Sequence, residues 1–322
     1  MTTECAGKSA SALDPAASEA FRRERWLGVI GLLCTVAIWG ATIPAITVLA
    51  PRWDPYFLAM IRYVAAVPVF WLLLKVFGGA GREAVPVAPV RLLALGLAMA
   101  AFALLYTLGI AYSHPVTAVI FGASMPIVAS LVARFVDGTV PSTGLYLGMI
   151  LVVPGAAFAM LDEGKLDQSL GVGGGEAMIV IAMVTWSWYS IMAQRWFKGA
   201  SQIRITAMSS FAASAFLVGA YGLAGLAGAT YGAWDDIRAL DIGLIAILSY
   251  GVIVIAVLLW NHGVLRLGLS LASLYLNLIP AVTLAILSLM GIPPTLGQVS
   301  GAALVIGGIL LAQRWPALVR QR

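Results

Sequence analysis

Polar residues in this chain come as short breaks between long apolar runs. Ten runs stand out, at 27–49, 56–77, 90–111, 116–136, 143–161, 175–197, 204–227, 240–261, 269–290 and 295–314. Each is close to the ~20 residues that cross a bilayer as an α-helix. The runs are continuously apolar and lack the two-residue alternation of a barrel strand. The pattern therefore predicts an all-α membrane protein of ten transmembrane helices. No break is long enough to fold as a soluble domain.

The runs form two sets of five. LLYTLGIAYSHPVTAVIFGASMPIVASLV, from Leu104, echoes LLWNHGVLRLGLSLASLYLNLIPAVTLAI, from Leu258. Leu104, Leu105, Tyr106, Thr107 and Gly109 fall on Leu258, Leu259, Trp260, Asn261 and Gly263, and Pro126 falls on Pro280. After a one-residue slip, Pro141, Gly144, Gly148 and Gly155 match Pro294, Gly297, Gly301 and Gly308 with identical spacing. A ladder of prolines and glycines in corresponding places points to a duplicated unit. An odd number of spans per unit makes the second copy enter the membrane from the opposite side. The expected organisation is a disordered cytoplasmic tail (1–26), a five-helix repeat (27–161), a Gly-rich acidic linker (162–174), an inverted five-helix repeat (175–314) and a C-terminal tail (315–322).

Composition agrees with a lipid setting. The 322 residues are 61% hydrophobic and 10% charged, with mean hydropathy +0.97, against about 25% charge in soluble chains. The net charge of +5 is no sign of a nucleic-acid partner, because it is sorted by side. With the N-terminus taken as cytoplasmic, the opposite side holds only Arg52, Lys165 and Arg238, and all other loop and tail Lys and Arg are cytoplasmic. This bias predicts both termini inside. Cys5 and Cys34 sit at different levels, so no disulfide framework is expected.

Several residues inside the spans are unusual for a purely lipid-facing helix. Trp39 lies near the middle of span one, away from the interfacial belts, and Trp186 aligns with it in span six. At 100° per residue Trp186, Tyr189 and Ser190 share a face. Tyr106, Asn261, Tyr275 and Asn277 add polar and aromatic groups on both repeats. Pro44, Pro126 and Pro280 interrupt spans one, four and nine, and interrupted helices near the midplane are where inverted-repeat carriers bind cargo. Arg62 is the basic residue well inside a span. It is expected as a structural buried charge, snorkelling outward or capping carbonyls of a broken neighbour, with anion binding the lesser alternative. His114, in the Ser113-His114-Pro115 turn, is expected to be a solvated loop histidine. Gly144-x-x-x-Gly148 and Gly297-x-x-x-Gly301 are expected to serve internal packing rather than dimerisation.

Trp39-Gly40, Arg62, Pro126, Pro280, the stretch LWNHGVLRLGLSLASLYLNLIP and the following PPTLGQVSGAALVIGGILL resemble the drug/metabolite transporter superfamily, in its EamA-type branch. The resemblance covers 27–314. It implies a ten-helix carrier of inverted repeats in a bacterial inner membrane, often an exporter of amino acids or other metabolites. The family usually has an acidic residue in the short turns before spans five and ten. Here those turns read Gly138-Thr139-Val140-Pro141 and Gly291-Ile292-Pro293-Pro294, with only Asp137 nearby.

The functional expectation is a secondary transporter, exporter or exchanger, working by alternating access, with no cofactor and no metal. Its partners are the lipid bilayer and a small-molecule substrate; a monomer is expected, with a homodimer as the alternative. One interior arginine is too little charge for a phosphorylated cargo. An amino acid or similar zwitterion fits the aromatic and amide groups, with lipophilic cations or drugs as the alternative. An intramembrane hydrolase is a remote reading: Gly122-Ala123-Ser124-Met125 lacks the fourth-position glycine and lies mid-span. A non-transporting receptor or scaffold leaves the mid-membrane polar groups without a purpose. The one titratable interior group suited to proton coupling is His262, near the cytoplasmic end of span eight.

Overall fold

A computed structural model describes residues 15–77, 88–138, 143, 146–151, 154–155, 174–197, 200–267, 275–276 and 278–319. Helices account for nearly all of them. In chain order they are α1 (Pro15–Gly40), α2 (Thr42–Leu49), α3 (Pro55–Phe77), α4 (Pro89–Tyr112), α5 (Pro115–Ala123), α6 (Met125–Asp137), α7 (Gly175–Trp196) and α8 (Gln202–Leu226). Then come α9 (Ala239–Ala246), a π-helical stretch (Ile247–Ile255), α10 (Ala256–Leu267), α11 (Ile279–Leu289) and α12 (Leu296–Val319).

Six of these segments are long and apolar enough to cross a membrane: Arg23–Leu49, Pro55–Phe77, Pro89–Tyr112, Gly175–Trp196, Ile203–Leu226 and Ala239–Trp260. A seventh is the bent pair Pro115–Ala123 and Ile127–Val136, at 47°. These are spans one to four and six to eight of the sequence reading. Ile279–Leu289 and Leu296–Gly308 are shorter apolar helices within spans nine and ten. Most of span five and the first half of span nine lie outside the described residues. Large apolar side chains such as Phe135, Leu226 and Leu289 point away from the bundle, an arrangement suited to lipid and costly in water.

The helix breaks have identifiable causes. Pro44 has no N–H to give to Gly40, four residues back. The freed Gly40 carbonyl instead accepts from Thr283 Oγ1 of α11 at 2.8 Å. α6 and α11 both open with a proline at their second residue, Pro126 and Pro280, which needs no intrahelical partner there. Pro126 is placed by its backbone only.

Packing follows the duplication. α4 runs along α7 and α8, while α1 runs along α10 and α11. α5 reaches across to α2, α11 and α12. Small residues allow the closest approaches. A Cβ on Gly155 would stand 2.8 Å from the Gly301 carbonyl, so the glycine ladder at that point serves packing between span five and α12.

One end of the bundle is clasped. Asp54 N–H donates to the Tyr231 carbonyl at 3.1 Å, and Ala233 N–H to the Arg52 carbonyl at 3.0 Å. Arg52 Nε and Nη2 donate to Asp241 Oδ2 at 3.1 and 3.0 Å, Nη1 reaches Asp236 Oδ2 at 3.3 Å, and Nη2 also donates to the Asp236 carbonyl. At the opposite end Arg266 pairs with Glu24 at 2.6 Å.

Candidate functional site

The expected face of α7 forms. Trp186 and Tyr189 have ring centroids 5.4 Å apart. Ser190 Oγ donates back to the Trp186 carbonyl at 2.8 Å, which uses its proton and leaves its oxygen as an acceptor. From α4, Phe102 lies 4.7 Å from Trp186 and 5.4 Å from Tyr106. Phe102 thus links the two residues expected from the sequence. It was legible as the position one turn before Tyr106 on the same face of α4. Tyr106 packs against the core yet stays half-buried. A Cβ on Gly122, at the α5–α6 break, would lie 3.6 Å from its hydroxyl. The aromatic group therefore sits beside the interruption of span four.

A second aromatic pair lies at the corresponding place in the duplication, between α1 and α10. Trp39 of α1 and Trp260 of α10 have centroids 5.9 Å apart. Trp39 Nε1 donates to the Val252 carbonyl of the π-helical stretch at 3.2 Å, and Thr35 Oγ1 donates to the Ala256 carbonyl at 3.2 Å. A π turn shifts the backbone ladder and recurs at functional sites. Trp260 aligns with Tyr106 in the repeat, so this residue too was available to a reading that carried Tyr106 across. The two pairs correspond: Trp39 with Trp260, and Trp186 with Tyr106. They differ in that Phe102 stands in the second.

The remaining candidates fall as follows. Asn261 is placed by its backbone within α10, next to Trp260. Tyr275 is half-buried in helical backbone just before α11. Asn277 lies outside the described residues. Pro44 and Pro280 are buried at helix breaks. His262 is half-buried on α10, beside Gly263, which packs against Leu32.

Two expectations, an outward-snorkelling Arg62 and a solvated His114, are not met. Arg62 is 4% exposed and does not snorkel. Its Nη1 donates to a side chain, Thr107 Oγ1, at 3.3 Å. His114 is not a solvated loop residue: it is half-buried and caps α5, its Nδ1 accepting from Val116 N–H at 3.3 Å and lying 3.5 Å from Gln298 Nε2. Glu176 and Asp241, in the first turns of α7 and α9, are both buried.

An all-helical bundle of bilayer-length spans, with repeated halves and one sharply bent span among the described residues, defines a multi-pass membrane carrier. The chain belongs to the EamA-like transporter family, whose model matches residues 26–161 and again 173–313. It is not an enzyme. It is 26% identical over 283 residues, 85% of this chain and 89% of the other, to the uncharacterized transporter YyaM of Bacillus subtilis (strain 168). A protein of known crystal structure superposes with a TM-score of 0.59 at 19% identity, over 90% of this chain and 97% of that one, which supports the fold.

Proposed function

We propose that the protein is a secondary transporter of an amino acid or similar zwitterion, working in a bacterial inner membrane with both termini cytoplasmic. The observation that supports it is the correspondence of the two aromatic pairs across the repeats, each beside a broken or π-helical segment. Repeats that hold equivalent groups in unequal arrangements suit alternating access, in which the two halves exchange conformations around a central site. Direct contact of Trp39 with Trp260 and the interposed Phe102 between Tyr106 and Trp186 is such an inequality. Stacked rings receive the apolar part of a ligand, and Ser190, Asn261 and Asn277 supply polar contacts to its amino and carboxyl groups. Export or exchange is the direction in keeping with the family.

The test is counterflow in proteoliposomes. Vesicles loaded with unlabelled L-phenylalanine, L-leucine or L-threonine should accumulate the labelled compound, and empty vesicles should not. Ethidium-loaded vesicles serve as the arm for lipophilic cations. Ethidium movement with no amino-acid counterflow would overturn the substrate class.

A further inference from the structure

Arg62 is a buried cation whose charge the fold leaves unmatched. Its Nη1 meets the Thr107 oxygen, and the Thr107 hydroxyl proton goes to the Ala103 carbonyl at 2.7 Å. Its Nε is buried without a hydrogen-bond partner. The groups within electrostatic reach are the phenols of Tyr63 and Tyr106, and no carboxylate forms an ion pair with it among the described residues. Nearby, the Tyr189 phenol of α7 faces Ser209 of α8, and lies within reach of Tyr63. The Ser209 hydroxyl is also buried, against that phenol.

A buried cationic Nε without an acceptor is hard to account for by packing. A buried donor without an acceptor carries its full desolvation cost, and a buried charge without a counter-ion carries more. A residue that served only to brace α3 against α4 would be better as an apolar side chain of similar size. The free Nε and a terminal amino group form the side-on fork that takes a carboxylate through two parallel hydrogen bonds. Tyr106, next to Thr107 in α4, belongs to the aromatic group described above.

We propose that Arg62 is the carboxylate-binding residue of the transported substrate. The inference rests on the zwitterion reading and deepens it. The ligand's carboxylate supplies the missing counter-charge while its side chain lies against Phe102, Tyr106 and Trp186. Substrate entry then discharges a cost that the empty carrier bears, which favours the loaded state for the conformational step.

The experiment compares wild type, Arg62→Met and Arg62→Lys as purified protein in detergent. Melting is followed alone and with L-phenylalanine or L-leucine, and with the corresponding amides, which lack the carboxylate. The acids should raise the wild-type Tm and the amides should not. Arg62→Met should melt higher than wild type without ligand, because an unmatched buried charge is gone, and should show no shift with the acids. Arg62→Lys keeps the charge and loses the fork, and should need at least tenfold more acid for the same shift. A lower ligand-free Tm for Arg62→Met, or its failure to fold, overturns the assignment and makes Arg62 a brace. Equal acid shifts in wild type and Arg62→Lys also overturn the two-bond contact. A wild type that no amino acid shifts overturns the substrate class proposed above, so the two failures are told apart.

Discussion

The backbone of Gly109 runs directly against Ile179: a Cβ at 109 would stand 2.6 Å from Ile179 Cγ1 and 2.8 Å from the Gly175 carbonyl. The other half repeats the contact. Gly263 aligns with Gly109, the register that puts Trp39 on Trp186 puts Leu32 on Ile179, and a Cβ at 263 would stand 2.5 Å from Leu32 Cγ. The third span of each repeat thus rests on the first span of the other. Such reciprocity is what an inverted duplication produces.

The two glycines differ in what can yield. At Gly109 the obstacle includes fixed backbone of α7, whereas at Gly263 it is a leucine side chain. Gly109→Ala should cost about 1–3 kcal/mol by overpacking, and Gly263→Ala less. Melting of the two purified variants in one detergent checks the order, and equal losses would remove the distinction.

The aromatic groups should matter for transport more than for folding. Trp186→Ala, Phe102→Ala and Asn277→Ala should each lower counterflow by roughly tenfold or more, from about 1–2 kcal/mol for a lost stacking or hydrogen-bonding contact. Their amounts in the membrane should stay near wild type. Normal transport by all three would make these residues packing groups.

Much of this was legible in the chain. Span length and the Pro/Gly ladder gave the helices, because bilayer thickness and backbone geometry act on sequence locally. Trp186, Tyr189 and Ser190 came out on one face for the same reason. Burial at the span ends was not legible. Glu176 and Asp241 look like interfacial carboxylates by position. They are enclosed because α7 packs tightly at Gly175 on α4 and because Arg52, far away in sequence, folds over Asp241. Arg62 shows the limit most clearly: its position marked a special residue, while its unpaired Nε could be known only once α3, α4, α7 and α8 were brought together.

The clasp between the Arg52 loop and the start of α9 should depend unequally on its two aspartates. Asp241 is 2% exposed at its side chain and takes both Nε and Nη2 of Arg52, whereas Asp236 is 68% exposed. Exposed pairs contribute only ~0–1 kcal/mol, and a buried partner left alone costs far more. Asp241→Asn should therefore lower the Tm clearly, and Asp236→Asn barely. High salt should narrow any effect of Asp236 first.

Asp54 gives a pH test. Its Oδ1 caps α3 by accepting from Phe57 N–H at 2.8 Å, while Oδ2 is buried without a partner. Burial pushes this carboxyl above its usual value, against the pull of the backbone N–H groups. An acid raised on folding holds its proton more tightly in the folded state. Its contribution is full below the unfolded value, about 3.9, and is lost as pH rises through the folded value. Asp54→Asn keeps the cap without the charge. It should melt above wild type at neutral pH, with the gap closing as the pH falls toward the unfolded value. A gap that widens on acidification would reverse the sign of the argument.

Energy coupling can be read from where the carboxylates are. A proton antiporter commonly holds its proton on an acid inside the membrane, beside the cargo. Of the buried acids here, Asp54 caps α3 and Asp241 pairs with Arg52. Glu176 is 2% exposed, with Oε2 unpartnered, but it lies in the first turn of α7, about three turns from Trp186. His262 lies toward the Arg266 end of α10. With no acid at the aromatic groups among the described residues, the cargo gradient is the expected driving force. In proteoliposomes, counterflow should proceed without a pH gradient and without proton movement. Glu176→Gln and His262→Ala should each keep it within roughly a factor of two, the range of substitutions away from a working contact. A strict need for an imposed pH gradient, abolished by either variant, would make that residue the coupling site.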